Sequence, residues 1–179
     1  VAGLAGKQEA HEARAEQLYG RMAAGIEASG GSAANSMAGV ASLGGRAAYI
    51  GKVAGDALGK VFAHDIGAIG VTYGTAPLAS GAATARCLIN VTPNGQRTMA
   101  TFLGASVHLT PDDVDVALIE GAKITYLEGY LFDPPQARRA FAKAAGLARA
   151  SGRLIALTLS DAFVVDRHRE ALLGFLDSE

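Results

Sequence analysis

Residues 30–35, Gly-Gly-Ser-Ala-Ala-Asn, combine side chains and gaps that can hold a polar ligand. Gly30 and Gly31 let the backbone turn tightly and approach another group closely. The run of small residues after them predicts a helix over about residues 33–43. Its unpaired first-turn N–H groups and the positive end of its dipole would point at the same place. Asn35 adds a donor and an acceptor on one side chain. This set suits a hydroxylated ligand such as a sugar. It is less like a phosphate loop, because the Lys-Ser/Thr pair of the Walker A type is missing. The bland reading is a turn before a helix packed tightly on a sheet.

Other chemistry-bearing residues are more scattered. His11, His64, His108 and His168 show no H-x-x-x-H spacing and no pairing with cysteine, so no transition-metal site is expected. Cys87 has no His or Asp near it in sequence, which argues against a nucleophile. Asp112, Asp113 and Asp115 would point in different directions on a helix, and capping accounts for the first two. Asp161 follows a predicted strand, at the edge where α/β proteins bind ligands, and reads as a cap for the helix ahead of Val165.

The elements that must position these residues alternate. Residues 8–22 predict a helix, 46–53 a short buried strand, and Asp56 the cap of a helix running to about Ile66. Two β-prone runs within 83–103 are joined by Thr92-Pro93-Asn94-Gly95-Gln96, which predicts a hairpin. Thr110-Pro111-Asp112-Asp113 has the form of a helix start. Strands over 123–127 and 153–159 then alternate with helices over 135–150 and 165–176. That order calls for βαβ units and a parallel sheet covered by helices, with the hairpin as a flap.

Half of the 179 residues are hydrophobic and the net charge is −1, so neither nucleic acid nor an anionic membrane is suggested as partner. No apolar run reaches the roughly 20 residues of a membrane span, and the single cysteine fits a reducing, cytoplasmic compartment. The chain opens on Val1 and stops just after an apolar, helix-like run. Both ends are therefore expected to be cut from a longer protein.

The residues Gly30 to Asn35, Leu43-Gly44, Tyr49 to Val53, Gly55-Asp56 and Gly59 together resemble the N-terminal signature of the ribokinase-type (pfkB) carbohydrate kinase family. Thr84 to Ser106, Tyr126 to Tyr130 and Leu157 to Asp161 are similar to its bacterial adenosine-kinase-like branch. The resemblance runs from about Ala15 to the end; Ala54 stands where the family usually has glycine, and Met37 where a small residue is common.

The resemblance implies one ribokinase-like α/β domain over 1–179, with a largely parallel sheet, flanking helices and lid strands around 70–104. It implies ribose contacts from Gly30, Gly31, Ser32 and Asn35, and walls of a base pocket from Cys87, Leu103 and Tyr130. Arg97, just after the hairpin turn, would reach the transferred phosphate. The implied reaction moves the γ-phosphate of ATP, with Mg²⁺, to a ribose 5′-hydroxyl, with adenosine as the leading substrate. Ribose or fructose, or a non-catalytic sugar-binding module, are the alternatives, and a homodimer is left open. The family's first strand, with its acidic sugar ligand, and its G-A-G-D element are not among these residues. The catalytic base and anion hole, and with them the ATP half, are therefore expected outside this chain, and no metal ligand is expected within it.

Overall fold

The computed structural model describes residues 2–178, with side chains from 11 to 177. The fold is α/β, and the chain divides into two compact units: 1–47 with 52–106, and 48–51 with 107–179. Strand β1 (Ala47–Tyr49) lies where the chain passes from one to the other.

The first unit contains α1 (Ala2–Tyr19), α2 (Ser32–Ser42), α3 (Ala57–Ala68), β2 (Val71–Tyr73) and the antiparallel pair β3 (Arg86–Val91) and β4 (Arg97–Phe102). Gly95, at φ 81°, makes the turn, donating to the Thr92 carbonyl at 2.8 Å while Thr92 donates to Gln96 at 2.9 Å. One face of the hairpin (Leu88, Ala100 and Phe102) is the more buried one. Helix α1 packs on the hairpin, with Ala15 buried and Glu16 paired to Arg86, whose guanidinium lies over the Phe102 ring. The predicted strand over 46–53 is shorter than expected. It ends at Tyr49, and further on Val53 accepts a bond from Leu78 while Ala54 bridges to Leu78.

A knot of hydrogen bonds ties α3 to the segment that enters β3. Asp56 accepts from the Gly59 N–H at 2.8 Å, the Thr84 N–H at 2.8 Å and the Thr84 hydroxyl at 2.6 Å. Thr84 Oγ1 in turn accepts from the Ala54 N–H at 3.0 Å. Gly59 is required here, because a Cβ would overlap the Ala54 carbonyl oxygen.

In the second unit, β5 (Ile124–Glu128), α5 (Pro135–Ala150) and β6 (Leu154–Thr158) form a βαβ element with parallel strands, registered from Ile124 opposite Leu154 to Glu128 opposite Thr158. Helix α5 buries Ala137, Ala140, Phe141, Ala144, Ala145 and Ala148, an i, i+3, i+4 stripe. These small side chains share a core with Leu127, Phe132 and Val164, and Phe141 meets Phe132 and Phe175 edge to face, each at 4.8 Å.

Two helix starts differ from expectation. Thr110 opens only a 3₁₀ turn (Pro111–Asp113), because Asp113 reaches back to the Thr110 N–H at 2.8 Å and hydroxyl at 3.0 Å. Helix α4 (Val116–Gly121) begins after it, capped by Asp115. Helix α6 (Ala162–Ser178) starts three residues early and is bent at His168, which has a non-helical backbone. Asp133 holds that bend, taking two bonds from Arg167 and one from His168 Nε2 at 2.7 Å.

Partial burial works to raise the Asp56 pKa, but the bonds from Thr84 and Gly59 outweigh it and hold the carboxyl below its ordinary value. Such a group stabilises the fold fully above the unfolded-state pKa of about 4, and that contribution is lost as pH falls through the lower folded-state value. Asp56→Ala, which strands several donors, is expected to cost about 2–3 kcal/mol in urea unfolding at neutral pH. Asp56→Asn keeps a capping acceptor and should flatten the acid limb of stability against pH; an unchanged limb would assign acid sensitivity to other carboxylates.

Candidate functional site

The glycine pair leads into α2 as the sequence requires, and a residue just before it fixes the approach. Ser29 donates to Asp65 on α3 at 2.6 Å. That bond, with a smaller contribution from His64, holds the Asp65 carboxyl below its ordinary range. Gly31 then takes φ 115° and ψ 137°, a conformation that L side chains rarely adopt. Its carbonyl accepts the first helical bond, from Asn35 at 2.7 Å. A glycine at this position has no side chain to cap the helix, so the N–H groups of the first turn are left for solvent or a ligand. Gly30, Gly31, Ser32 and Asn35 are all exposed around this helix end. The site is neutral: backbone N–H groups, a hydroxyl and an amide, with the dipole behind them. Such a set recognises hydroxyl groups well and does not neutralise a full anionic charge.

Cys87 sits at the start of β3, opposite Thr101, and their side chains meet with Sγ and Oγ1 3.2 Å apart. Cys87, Ile89, Val91 and their partners Thr101, Met99 and Arg97 occupy the hairpin face that is left open to solvent. Leu103, half exposed, follows β4 directly. Arg97 lies at the other end of the hairpin, next to the turn and exposed. The first unit therefore gathers four of the predicted residues at the start of α2, two at the inner end of the hairpin, and Arg97 at its tip.

Tyr130 belongs to the second unit, just beyond the carboxyl end of β5. Its N–H donates to Ser160 Oγ at 3.1 Å, and the nearby Asp161 carboxylate raises the phenol pKa, with smaller contributions from partial burial and the Glu128 charge. Asp161 also caps α6, accepting from the Val164 N–H at 2.9 Å. Sequence reasoning identified the cap but not the bond from Tyr130 to the neighbouring Ser160, because no local pattern links 130 to 160. Ser29 and Asp65 were missed for the same reason. Among the described residues no group of three or more His, Cys, Asp or Glu could hold a metal ion, and no helix is long and apolar enough to cross a membrane.

With this glycine-led helix entry, the hairpin and the parallel βαβ element in view, the chain belongs to a known class. Residues 4–174 match the model of the pfkB family of carbohydrate kinases, and the chain is a member of that family. It is 55% identical to an adenosine kinase from Sinorhizobium meliloti of known structure, with a TM-score of 0.87 over 92% of this chain and 50% of that one. A probable sugar kinase from Rhizobium etli CFN 42 shares 53% identity and a TM-score of 0.84, over 89% of this chain and 48% of that one. A fructokinase from Solanum tuberosum is 30% identical over 73% of this chain and 41% of its own length. The chain thus spans about half the length of the solved relatives and less of the fructokinase.

Gly31→Ala places a side chain at a φ that disfavours one and is expected to cost about 1–3 kcal/mol. Gly30→Ala, where a Cβ would meet no atom within 4 Å, should be close to neutral. Urea unfolding of the two variants checks the contrast, with exchange of the Asn35 amide, which is bonded to the Gly31 carbonyl, faster only in the first.

Proposed function

We propose that this chain is the acceptor-binding part of an ATP-dependent nucleoside kinase whose substrate is adenosine. The observation that carries the reading is the uncapped start of α2, where Gly31 at φ 115°, free first-turn N–H groups and the exposed Asn35 make a neutral site for hydroxyl groups. The likeness to a bacterial adenosine kinase at 55% identity favours a nucleoside over a free sugar.

In this reading Gly30, Gly31, Ser32 and Asn35 bind and orient the ribose. Cys87 and Leu103 exclude water from the base, and Tyr130 supplies an aromatic wall. Arg97 meets the phosphoryl group in flight, a task suited to a planar guanidinium. Orientation of the 5′-hydroxyl is the main catalytic contribution of these residues, because phosphoryl transfer depends on positioning and charge stabilisation. Closure of the hairpin as a lid would keep water from competing as the acceptor. ATP is the donor that the family implies. The described residues do not form a Mg²⁺ site by themselves, and no step is derived through the metal. The protein acts in the cytoplasm on a small-molecule substrate, and the open hairpin face is compatible with a homodimer.

Calorimetry with adenosine, ribose and fructose tests the assignment. Asn35→Ala is expected to weaken adenosine binding tenfold or more, equivalent to about 1.4 kcal/mol. Leu103→Ala should weaken adenosine and leave ribose unchanged, whereas Arg97→Ala should leave adenosine affinity intact. Preference for fructose or ribose, with indifference to Leu103→Ala, would replace the nucleoside reading by a sugar kinase. Tight adenosine binding without ATP-dependent phosphorylation by the full-length protein would leave a binding module.

A further inference from the structure

The loop that leads into α2 is not held by packing. Residues 23–31 are exposed throughout, and Ile26 is 98% exposed. A segment that buries nothing keeps much of its backbone freedom unless polar contacts restrain it. Among the described residues two side-chain bonds do so. Tyr19 donates to Glu27 at 2.6 Å, which ties the loop to the end of α1. Ser29 donates to Asp65 at 2.6 Å, which ties it to α3, 36 residues further along the chain. The second bond falls one residue before the glycine pair.

The two glycines cannot restrain themselves. A Cβ on Gly30 would meet no atom within 4 Å, so the backbone there lies in open space. Gly31 must nonetheless stay at φ 115° and ψ 137° while its carbonyl accepts from the Asn35 N–H at 2.7 Å. Glycine enters that conformation freely and leaves it as freely. On the far side, Ala34 is buried and anchors the first turn of α2. The pair is thus a short flexible span between Ala34 and the bond at Ser29.

Asp65 does not serve the helix that carries it. It lies in the last turn of α3, where the negative end of the dipole disfavours an acid, and aspartate is a poor helix former. Its carboxylate does suit the loop, because an ionised acceptor holds a hydroxyl more firmly than a neutral one. His64 Nδ1 lies 3.3 Å from Oδ1, and Oδ2 takes the Ser29 hydroxyl. The start of the same helix is held by Asp56 and Thr84, so the tether ends on a fixed element.

We infer that Ser29 and Asp65 are positioning residues that hold the Gly30–Gly31 loop ready for a ligand, and so set affinity for sugar hydroxyl groups. This rests on the reading above, in which Gly30, Gly31, Ser32 and Asn35 bind the ribose, and extends it to two residues that act through them. Holding the loop beforehand removes an ordering cost that each binding event would otherwise meet. The effect falls on the sugar, so adenosine and free ribose gain equally.

The test measures adenosine and ribose affinity by calorimetry, and stability by urea unfolding, in the full-length protein and its variants. Ser29→Ala and Asp65→Ala are each expected to weaken both ligands about fivefold, with stability equal or, for Asp65→Ala, higher. Ser29→Thr keeps the hydroxyl and should bind both ligands as the parent does. In an Asp65→Ala background, Ser29→Ala should cause no further loss, since its acceptor is gone. Ser29→Ala and Asp65→Ala proteins with parental affinity overturn the inference and leave the nucleoside reading intact. Weaker binding that comes with lost stability and is not restored by Ser29→Thr also overturns it, by reducing both residues to structural roles. A parent protein that binds ribose but not adenosine overturns the nucleoside reading alone, and the ribose affinities then decide the inference. A parent that binds neither overturns both.

Discussion

The hydrogen bonds between Asp56 and Thr84 are the constraint on which the first unit depends. Asp56 fixes the start of α3 through Gly59, and Thr84 fixes the two residues of chain that precede β3. At its other end, α3 carries Asp65, which holds Ser29 and so sets the approach of Gly30 and Gly31 to α2. The glycine loop before α2 and the base of the hairpin are therefore referred to one helix, by carboxylates near its two ends. Backbone N–H groups are the main donors at Asp56, so the geometry is fixed without relying on long, mobile side chains.

The second unit is held by a different economy of parts. Helix α5 presents methyl groups at nearly every buried position, which lets its backbone come close to β5 and β6. Three phenylalanines supply the bulk that alanine cannot, and their edge-to-face contacts give the packing direction. The bend at His168 follows from the Asp133 cluster, where Arg167 and His168, adjacent in sequence, both turn to one carboxylate. Two successive residues on a regular helix project about 100° apart. The non-helical backbone at His168 accompanies the turn of both side chains to the one partner.

Local signals in the sequence carried most of the element assignments. The hairpin followed from Asn94-Gly95 between β-prone runs, the start of α3 from Asp56, and α5 from its richness in alanine. Where expectation departed from the structure, the competing interaction was tertiary or involved a second cap. Residues 52 and 53 looked like a continuing strand, but Val53 pairs with Leu78. Thr110 looked like the cap of a helix, but Asp113 closes the first turn on itself and Asp115 restarts the chain. In the candidate site, Gly30, Gly31 and Asn35 were legible because a single helix end brings them together. Ser29 with Asp65, and Ser160 with Tyr130, were not, since each pair joins segments 30 or more residues apart and has no local signature.

The two helix entries make an instructive contrast. Before α2, a positive φ is occupied by glycine, and the helix end is left bare. Before α6, a positive φ is occupied by serine, and Asp161 accepts from the Val164 N–H in the first turn. If turn geometry alone governed the choice, glycine would serve at both places, with less strain at the second. The difference lies in what each end faces. A bare end leaves its N–H groups to solvent or a ligand, whereas a capped end ties one of them to the chain itself. The serine hydroxyl accepts from the Tyr130 main-chain N–H and the aspartate carboxylate from the Val164 N–H, so the strained turn is tied both to the loop after β5 and to the helix it opens.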